Sequence, residues 1–505
     1  MEYRNTTKKI RQIGQELGVT YLLEGSVRRA GNKVRVTGQL INSRTDEHVW
    51  AKSYDRDLTD IFAIQAELAQ EIAGALKTAI TPQQKSLIAG RATTSVEAYN
   101  NYLKAREIVT WSDVTRGTLP ELDRLLQSAV QLDPNYVPAW LEICRVNLFA
   151  YERPSIGGDR SRLAAGQAAL VQALRLAPTD PAVILAQGLS AEAGDDLPAA
   201  RIYYERALQL APGNVEAVVA LGRLSSQERR WAEAMGYNRR AQTLDPRNPV
   251  VIWSAYYALS NLRQFDEATA NARLLVELQP NSIEAATALA WLPFLARNSR
   301  QEMEALFAGL TAEQQKSSAV VAAKFNWYYH SIGDAQAYVD LSDHQGTDNN
   351  FSEEDSILQY AEALWVLGKK ERAVSFVRPL LEKLKVRCVA DPESDQLRLS
   401  LCYAQALVGD HDAALGTINY LLSRVKPGDP VRKSNNIYAN VAIVLGWIGE
   451  KDKALDLLGP MMKIPQGFNN SVYALRNDVD FWPLHGFPRW EALLNDPANR
   501  QPFKY

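Results

Sequence analysis

The residues best suited to acid–base or metal chemistry are five scattered histidines: His48, His330, His344, His411 and His485. No two of them lie four residues apart and no HExxH pair occurs, so the spacing typical of a helical zinc site is missing. The glycine patterns that bind phosphates and the GxSxG turn of serine hydrolases are missing as well. We therefore expect each histidine to be a solitary surface or turn residue, and we predict no metal site.

Adjacent like charges offer the other possible chemistry. The main pairs are Glu353-Glu354, Asp195-Asp196, Arg28-Arg29 and Arg239-Arg240. The acidic pairs fall at predicted helix starts or turns, where carboxylates complement the helix dipole. The basic pairs are short, and a solvated face accounts for them. We predict no catalytic residue, no bound cofactor and no enzymatic activity.

Charge and hydropathy narrow the partner classes and the compartment. The chain has 56 basic and 58 acidic residues, a net charge of −2. A protein that binds the phosphate backbone of a nucleic acid normally has more basic than acidic residues, so we expect no nucleic-acid partner. No apolar run approaches the roughly 20 residues that span a bilayer, and the start MEYRNTTKKIRQIG lacks the apolar core of a signal peptide. We expect no membrane insertion and a cytoplasmic location, or a periplasmic one if the sequence is a fragment of a longer membrane-anchored protein.

A repeat is visible in the prolines. Leu-x-Pro triplets end at Pro134, Pro178, Pro212, Pro246 and Pro280, with gaps of 44, 34, 34 and 34 residues. A period of 34 is that of the tetratricopeptide repeat, a hairpin of two helices. The longer gap predicts the same hairpin with a loop inserted in YERPSIGGDR. Proline ends each second helix because it lacks an N–H and restricts the residue before it.

Small residues inside each unit agree with this period. The positions where the two helices cross hold Ala200, Ala234 and Ala268, and later Ala207 and Ala241. After Pro280 the period blurs, but a glycine followed five residues later by alanine recurs in LGKKERA, VGDHDAA and IGEKDKA. Glycine there predicts a left-handed helix end. We count about eight helical pairs, starting near Val96.

The repeat also predicts which side chains face a partner. In such units the second, fifth, ninth, twelfth and thirteenth positions point into a concave groove. The candidate groove residues are Arg145, Phe149, Leu185, Leu189, Glu216, Arg223, Trp253, Tyr257 and Asn261. This mixture of apolar anchors and charges suits an extended or helical peptide better than a small metabolite. The sixth positions (Glu142, Ala186, Ala220 and Ser254) lack the Lys/Asn set that clamps a peptide carboxylate.

The first ninety residues differ from the repeats. A polar helix at Thr6–Leu17 is followed by three strand-like runs, with Gly31-Asn32 and Asn42–Asp46 as turns. An amphipathic helix then starts at Thr59, and a further helix opens with Thr81-Pro82. The predicted order is αβββα.

The stretch ELGVTYLLEGSVRRAGNKVRVTGQLINSRTDEHVWAKSYDRDLTDIFAIQAELAQEIAGAL resembles the TolB-like amino-terminal domain that precedes tetratricopeptide repeats in bacterial signalling proteins. SVEAYNNYLKAR and the carboxy-terminal LRNDVDFWPLHGFPRWEALLNDP are similar to the same family. In that family an output module accompanies these parts: an adenylate cyclase, a winged-helix DNA-binding domain or a serine/threonine kinase. This chain carries no such module. It also lacks the strand and helix that usually open the TolB-like domain. Either the start codon is misplaced, or a truncated sheet presents an open strand edge.

Together these patterns predict a mainly α fold, a tetratricopeptide-type α-solenoid with a small, truncated amino-terminal α/β domain. The predicted domains are a partial TolB-like domain (1–90), tetratricopeptide repeats (95–300), degenerate helical repeats (301–463) and a carboxy-terminal cap (464–505). We expect a protein-interaction scaffold, the regulatory or sensory arm of a bacterial signalling system, that binds a protein or peptide in the groove. The alternative is a regulatory segment separated from a cyclase, kinase or transcription-regulator output module.

Overall fold

The fold is that of a computed structural model, which describes residues 6–30, 33–57, 61–76, 93, 95–109, 117–152, 160–345, 353–425, 431–465 and 471–504. The chain divides into two compact units, Met1–Ala217 and Val218–Tyr505. The four domains proposed from the sequence, with their boundaries, stay predictions. Three predicted features fall largely or wholly outside the described residues: the helix at Thr81-Pro82, the YERPSIGGDR loop and the turn at Gly31-Asn32.

The first unit begins with the predicted αβββα arrangement. Its elements are α1 (Ile10–Leu17), β1 (Tyr21–Ala30), β2 (Lys33–Asn42), β3 (His48–Asp57) and α2 (Ile61–Ala75). The strands form an antiparallel sheet in the order β1-β2-β3. The second predicted turn is present, with the Asp46 N–H donating to the Asn42 carbonyl at 2.9 Å.

One face of this sheet is only partly covered. Ile64 and Leu68 of α2 pack on Val34 and Trp50 of β2 and β3. On β1, which pairs with β2 along one edge, Leu23 and Val27 lie on the same face but stay exposed. The apolar face of the described sheet is therefore open above β1.

The rest of the first unit consists of helix pairs. The helices are α3 (Val96–Ile108), α4 (Leu119–Leu132), α5 (Val137–Tyr151), α6 (Arg160–Leu176), α7 (Pro181–Ala193), α8 (Leu197–Leu210) and the start of α9 (Val215–Gln227). Helices α4, α6 and α8 each end two residues before a repeat proline. The proline signal therefore placed the helix ends correctly.

The second unit continues the pairs from within α9. Its helices are α10 (Trp231–Leu244), α11 (Pro249–Asn261), α12 (Phe265–Leu278), α13 (Ile283–Arg297), α14 (Gln301–Gly309), α15 (Ser318–Asn326), α16 (Ala335–Gln345), α17 (Glu353–Val366), α18 (Lys370–Ala390), α19 (Asp395–Leu407), α20 (His411–Ser423), α21 (Val431–Trp447), α22 (Lys451–Met461), α23 (Val472–Asn477) and α24 (Pro488–Asn495). Trp327–Ser331 forms a π-helical turn after α15, and Val479–Leu484 forms a 3-10 helix after α23.

Six of the described turns inside pairs, those of α7–α8, α9–α10, α11–α12, α17–α18, α19–α20 and α21–α22, each have one left-handed residue. In the later pairs it is glycine, as predicted, with φ between 76° and 89° at Gly368, Gly409 and Gly449. In the earlier pairs the same role falls to Asp195, Arg229 and Arg263, which are 34 residues apart and have φ near 60°. Because these residues are not glycine, the turn of the earlier pairs is not evident from the sequence.

Alanines close the contacts between paired helices. The crossing-point alanines are fully buried: Ala200, Ala207, Ala234, Ala241, Ala268, Ala373, Ala414 and Ala454. A larger side chain would push the helix axes apart, because interhelical distance is set by the residues at the contact. The predicted fold class, a mainly α tetratricopeptide-type solenoid with a small amino-terminal α/β domain, is confirmed.

Candidate functional site

In the first unit, the candidate groove residues lie on the first helix of successive pairs. Arg145 and Phe149 on α5 and Leu189 on α7 are half-buried, whereas Glu216 on α9 is exposed. The Arg145 guanidinium forms an ion pair and hydrogen bond with the Glu216 carboxylate. This contact brings together two side chains 71 residues apart that the repeat numbering had assigned to one surface.

One member of this set needs correction. Leu185 on α7 is only 2% exposed, so its side chain belongs to the core and cannot contact a partner. α7 packs against neighbouring helices on two sides, α5 and α8, which encloses more of its circumference than a single helical pair would. Leu189, one turn later, keeps part of its side chain at the surface.

In the second unit, three aromatic side chains gather on α11. The Trp253 and Tyr257 rings stack with centroids 5.5 Å apart and planes inclined by 25°. Tyr256 is buried and contacts both rings edge-on, with centroids 5.3 Å from each, so it supports the stacked pair from the core side. Tyr257 is 59% exposed, while Asn261 on α11 and Arg223 on α9 are half-buried. The residues offer a rigid aromatic surface with polar groups on the same set of helices.

The sixth positions lie inside the helix pairs. Glu142, Ala186 and Ala220 are buried, and the Ser254 hydroxyl donates to the Asn238 side-chain oxygen at 2.8 Å. A peptide carboxylate needs a positively charged or hydrogen-bond-donating side chain. Glu142 is acidic, Ala186 and Ala220 are apolar, and the Ser254 hydroxyl already bonds Asn238, so none of the four can bind one.

Glu142 carries a pH prediction. Burial raises the pKa of its carboxyl, and Arg145 and Arg106 only partly oppose this. The carboxyl therefore takes up a proton on folding. As the pH rises above 4.5, the ordinary pKa of this carboxyl in the unfolded chain, the free energy of folding becomes less favourable. We expect Glu142→Gln to raise the thermal unfolding midpoint at pH 8 and to leave it unchanged at pH 4, measured by circular dichroism.

Glu216→Gln is the matched control, since Glu216 is an exposed carboxylate that forms an ion pair with Arg145. It should show no gain that increases with pH. A Glu142→Gln protein that is less stable than the wild type at pH 8 would mean that the buried carboxylate is ionised and held by Arg145.

Sequence reasoning missed a buried polar cluster in the second unit, formed by Tyr329, His330, Glu362, Asp478 and Asp480. His330 Nδ1 lies 3.1 and 3.2 Å from the two Asp478 oxygens. The Tyr329 hydroxyl contacts the Glu362 carboxyl and lies 2.9 Å from Asp480 Oδ1. The expectation that every histidine is solitary is thus wrong for His330, whereas His48, His344 and His411 are exposed as predicted.

The ionisation of this cluster follows from its burial. Burial raises the pKa of the Glu362 carboxyl well above its ordinary value, and it raises the pKa of Asp480 to about 7 with a further contribution from Asp478. Burial would lower the pKa of the His330 imidazole, but Asp478 and Asp480 outweigh that effect and raise it to about 9. The cluster therefore holds protons at neutral pH that isolated side chains of the same types would not.

No described helix has both the length and the apolar character needed to cross a membrane. The three cysteines are free and buried within their helices, and burial raises the pKa of the Cys144 and Cys402 thiols to about 12. Neither thiol is thereby suited to act as a nucleophile at neutral pH.

Comparison with known proteins gives one curated relative and several similar folds. A Rhizobium meliloti protein named "Putative adenylate cyclase 3" is 36% identical over 137 residues, which are 27% of this chain and 23% of that protein. The chain thus matches less than a quarter of its relative's length. No family model matches the chain, so the resemblance to a TolB-like domain stays a prediction.

Among solved structures, a tetratricopeptide repeat protein from Parabacteroides merdae has a TM-score of 0.31 at 12% identity, covering 62% of this chain and 100% of its own. Yeast Tom70 has a TM-score of 0.37 at 14% identity, covering 68% of this chain and 88% of its own. PilF of Pseudomonas aeruginosa has a TM-score of 0.30 at 16% identity, covering 44% and 95%. At such scores, the fold class rests on the helix pairs of this chain themselves.

Proposed function

We propose that this chain is a protein-interaction scaffold, the regulatory or sensory arm of a bacterial signalling system, and that it binds a protein or peptide along the first helices of its repeats. Each helical pair leaves an apolar face that its neighbours must cover, and stacked pairs leave a long surface for a partner. The partner is a protein rather than a nucleic acid, because the chain's net charge of −2 offers no basic excess.

The observation that carries the proposal is the aromatic pair on α11. Trp253 and Tyr257 are stacked before any partner arrives, and Tyr257 keeps 59% of its surface open. Tryptophan and tyrosine dominate the energetics of protein interfaces, since they bury a large area and lose few rotamers. A preformed aromatic surface therefore binds at a lower entropic cost than a flexible one.

Charged and polar groups accompany the aromatic surface. Arg223 and Asn261 lie on the helices of the second unit. The first unit, by itself, presents the half-buried Phe149 and Leu189 and the Arg145–Glu216 ion pair. This composition supports a peptide that alternates apolar anchors with charged or amide groups. We place no cofactor and no catalytic residue in the scaffold.

A second candidate function draws on the Rhizobium meliloti relative. In this alternative the chain is a regulatory segment that acts on a separate cyclase, kinase or transcription-regulator module. Both candidates use the same binding surface, but they differ in the partner that occupies it. An assay for cyclic-nucleotide synthesis by the isolated chain is expected to be blank in both cases, and synthesis would contradict both.

The test is affinity capture from the native organism with the wild-type chain and with a Trp253→Ala, Arg223→Ala double variant. We expect the double variant to lose the partner, because truncating an interface hot spot costs roughly 2 kcal/mol or more, about thirtyfold in affinity. The matched control is Leu244→Ala, Arg273→Ala, which removes one exposed apolar and one exposed cationic side chain from second helices. Captured material is identified by mass spectrometry, with and without nuclease treatment.

Loss of capture in the first variant but not in the control supports the proposal, and the identity of the partner separates the two candidate functions. Capture that is equal in all three proteins would remove the first-helix surface from consideration. Capture that disappears on nuclease treatment would replace the protein partner with a nucleic acid.

A further inference from the structure

The buried cluster of the second unit brings three metal-ligating side chains together from distant parts of the chain. His330 comes from the π-helical turn after α15, and Asp478 and Asp480 come from the start of the 3-10 helix after α23. One ligating atom from each lies within 4.8 Å of the others. Single π-helical turns inside α-helical segments are rare and occur frequently at functional sites.

The separations suit a metal ion. A tetrahedral ion with bonds of about 2.0–2.1 Å places its ligand atoms about 3.3 Å apart. His330 Nδ1 is 3.1 Å from Asp478 Oδ1 and 3.8 Å from Asp480 Oδ2. All three ligating atoms lie within 4.8 Å of one another, so side-chain adjustment could draw them onto one ion, which could enter from the side of His330, since that residue is partly exposed.

Charge balance supplies an independent reason. Glu362 is 1% exposed, and its Oε1 has no hydrogen-bond partner in the described structure. Its other oxygen and Asp480 Oδ1 both contact the single Tyr329 hydroxyl, which has one proton to donate. Three carboxyl groups and one imidazole thus gather in one cluster, where a bound cation would offset the carboxylate charge.

We propose that His330, Asp478 and Asp480 bind a divalent transition-metal ion, Zn²⁺ or Mn²⁺. One imidazole and two carboxylates favour these ions over Mg²⁺, which prefers oxygen ligands alone and holds its water. The Gln359 side-chain amide nitrogen lies 3.5 Å from His330 Nε2, and a flip of this amide would place its oxygen where it accepts from the Nε2–H of a metal-bound imidazole. The Tyr329 hydroxyl, which also contacts Glu362, would fix the Asp480 carboxylate by the same kind of contact.

Such an ion would join the carboxy-terminal segment to the middle of the second unit. Its ligands are about 150 residues apart, since His330 contacts Asp478 across 148 positions of the chain. The three ligands lie close together only in the folded chain, so binding of the ion stabilises the folded state relative to the unfolded one. The proposal is independent of the scaffold function, which uses other helices.

The test is isothermal titration calorimetry of the full chain after chelator treatment, with ZnSO₄, MnCl₂ and MgCl₂ in turn. We expect one Zn²⁺ or Mn²⁺ site per chain, a raised thermal midpoint, and no comparable response to Mg²⁺. His330→Gln and Asp480→Asn should each weaken binding more than about tenfold, since even a lost orienting partner costs that much. His344→Gln, which removes an exposed histidine, should bind as the wild type does.

Absence of Zn²⁺ and Mn²⁺ binding by the wild type overturns the proposal, and so does binding that His330→Gln and Asp480→Asn leave intact. Circular dichroism shows whether each variant is folded. If both variants unfold, X-ray absorption on the zinc-loaded wild type decides. Nitrogen and oxygen neighbours with one imidazole support the site, whereas sulfur neighbours or several imidazoles overturn it.

Discussion

Replacing Trp490 with alanine is expected to lower the free energy of unfolding of the second unit by about 3–5 kcal/mol, the usual cost of deleting a buried tryptophan. Trp490 on α24 is 1% exposed and stacks on Phe481 with ring centroids 5.4 Å apart. It belongs to the apolar cluster that extends from α15 to α24. The substitution would leave a cavity there, and the surrounding helices can collapse into it only in part.

Urea unfolding followed by circular dichroism measures the effect. Trp490→Phe is the matched control, because it keeps an aromatic ring against Phe481 and removes an indole N–H that has no hydrogen-bond partner in the described structure. We expect it to cost less than about 1.5 kcal/mol, as conservative core replacements do. If the two variants lose the same free energy of unfolding, the aromatic ring kept at position 490 does not stabilise the carboxy-terminal segment.

The helical pairs could be predicted because their information is local. The second helices of the first five pairs stop two residues before a proline such as Pro212 or Pro246, and a buried alanine such as Ala200 or Ala234 marks the crossing of a pair. Both signals arise from covalent geometry and side-chain volume within one unit of 34 residues. They can therefore be recognised in the sequence of one unit, whatever the structure of the other units.

The candidate surface was only partly predictable. Repeat numbering identifies which residues share a helix face, and it assigned to one surface two residues, Arg145 and Glu216, that form an ion pair. It does not say how much of that face the neighbouring helices cover. Leu185 and Leu189 occupy the same face of α7, yet only Leu189 reaches the surface. Burial depends on contacts between helices, which a periodic pattern does not contain.

The buried cluster was not predictable from motifs. His330 meets Asp478 across 148 residues, and Tyr329 meets Asp480 across 151. Spacing rules for metal ligands are built on residues that one helix or loop brings together. The one local trace is the pair of aspartates two residues apart in LRNDVDFW, and it also has an ordinary explanation, since Asp478 caps the 3-10 helix through the Asp480 N–H.

Replacing Gly333 with alanine is expected to destabilise the second unit by about 2–5 kcal/mol. Gly333 lies in the turn before α16 and has a φ of 64°, where a side chain costs about 1–2 kcal/mol. A Cβ atom there would also lie 2.2 Å from the Asn477 carbonyl oxygen, a backbone atom at the end of α23. Relieving that overlap must move one segment away from the other, and such overpacking costs a further 1–3 kcal/mol or so.

Gly368→Ala separates the two effects. Gly368 has a φ of 76°, but a Cβ atom added to it meets nothing within 4 Å, so it bears the backbone strain alone. Urea unfolding should therefore show a larger loss for Gly333→Ala than for Gly368→Ala. Hydrogen exchange should also accelerate in α23, because the overlap moves Asn477 and, with it, the adjacent Asp478. If the two alanine variants lose the same stability, the turn and the end of α23 are not in tight contact, and the geometry that brings His330 to Asp478 must be less rigid than the distances imply.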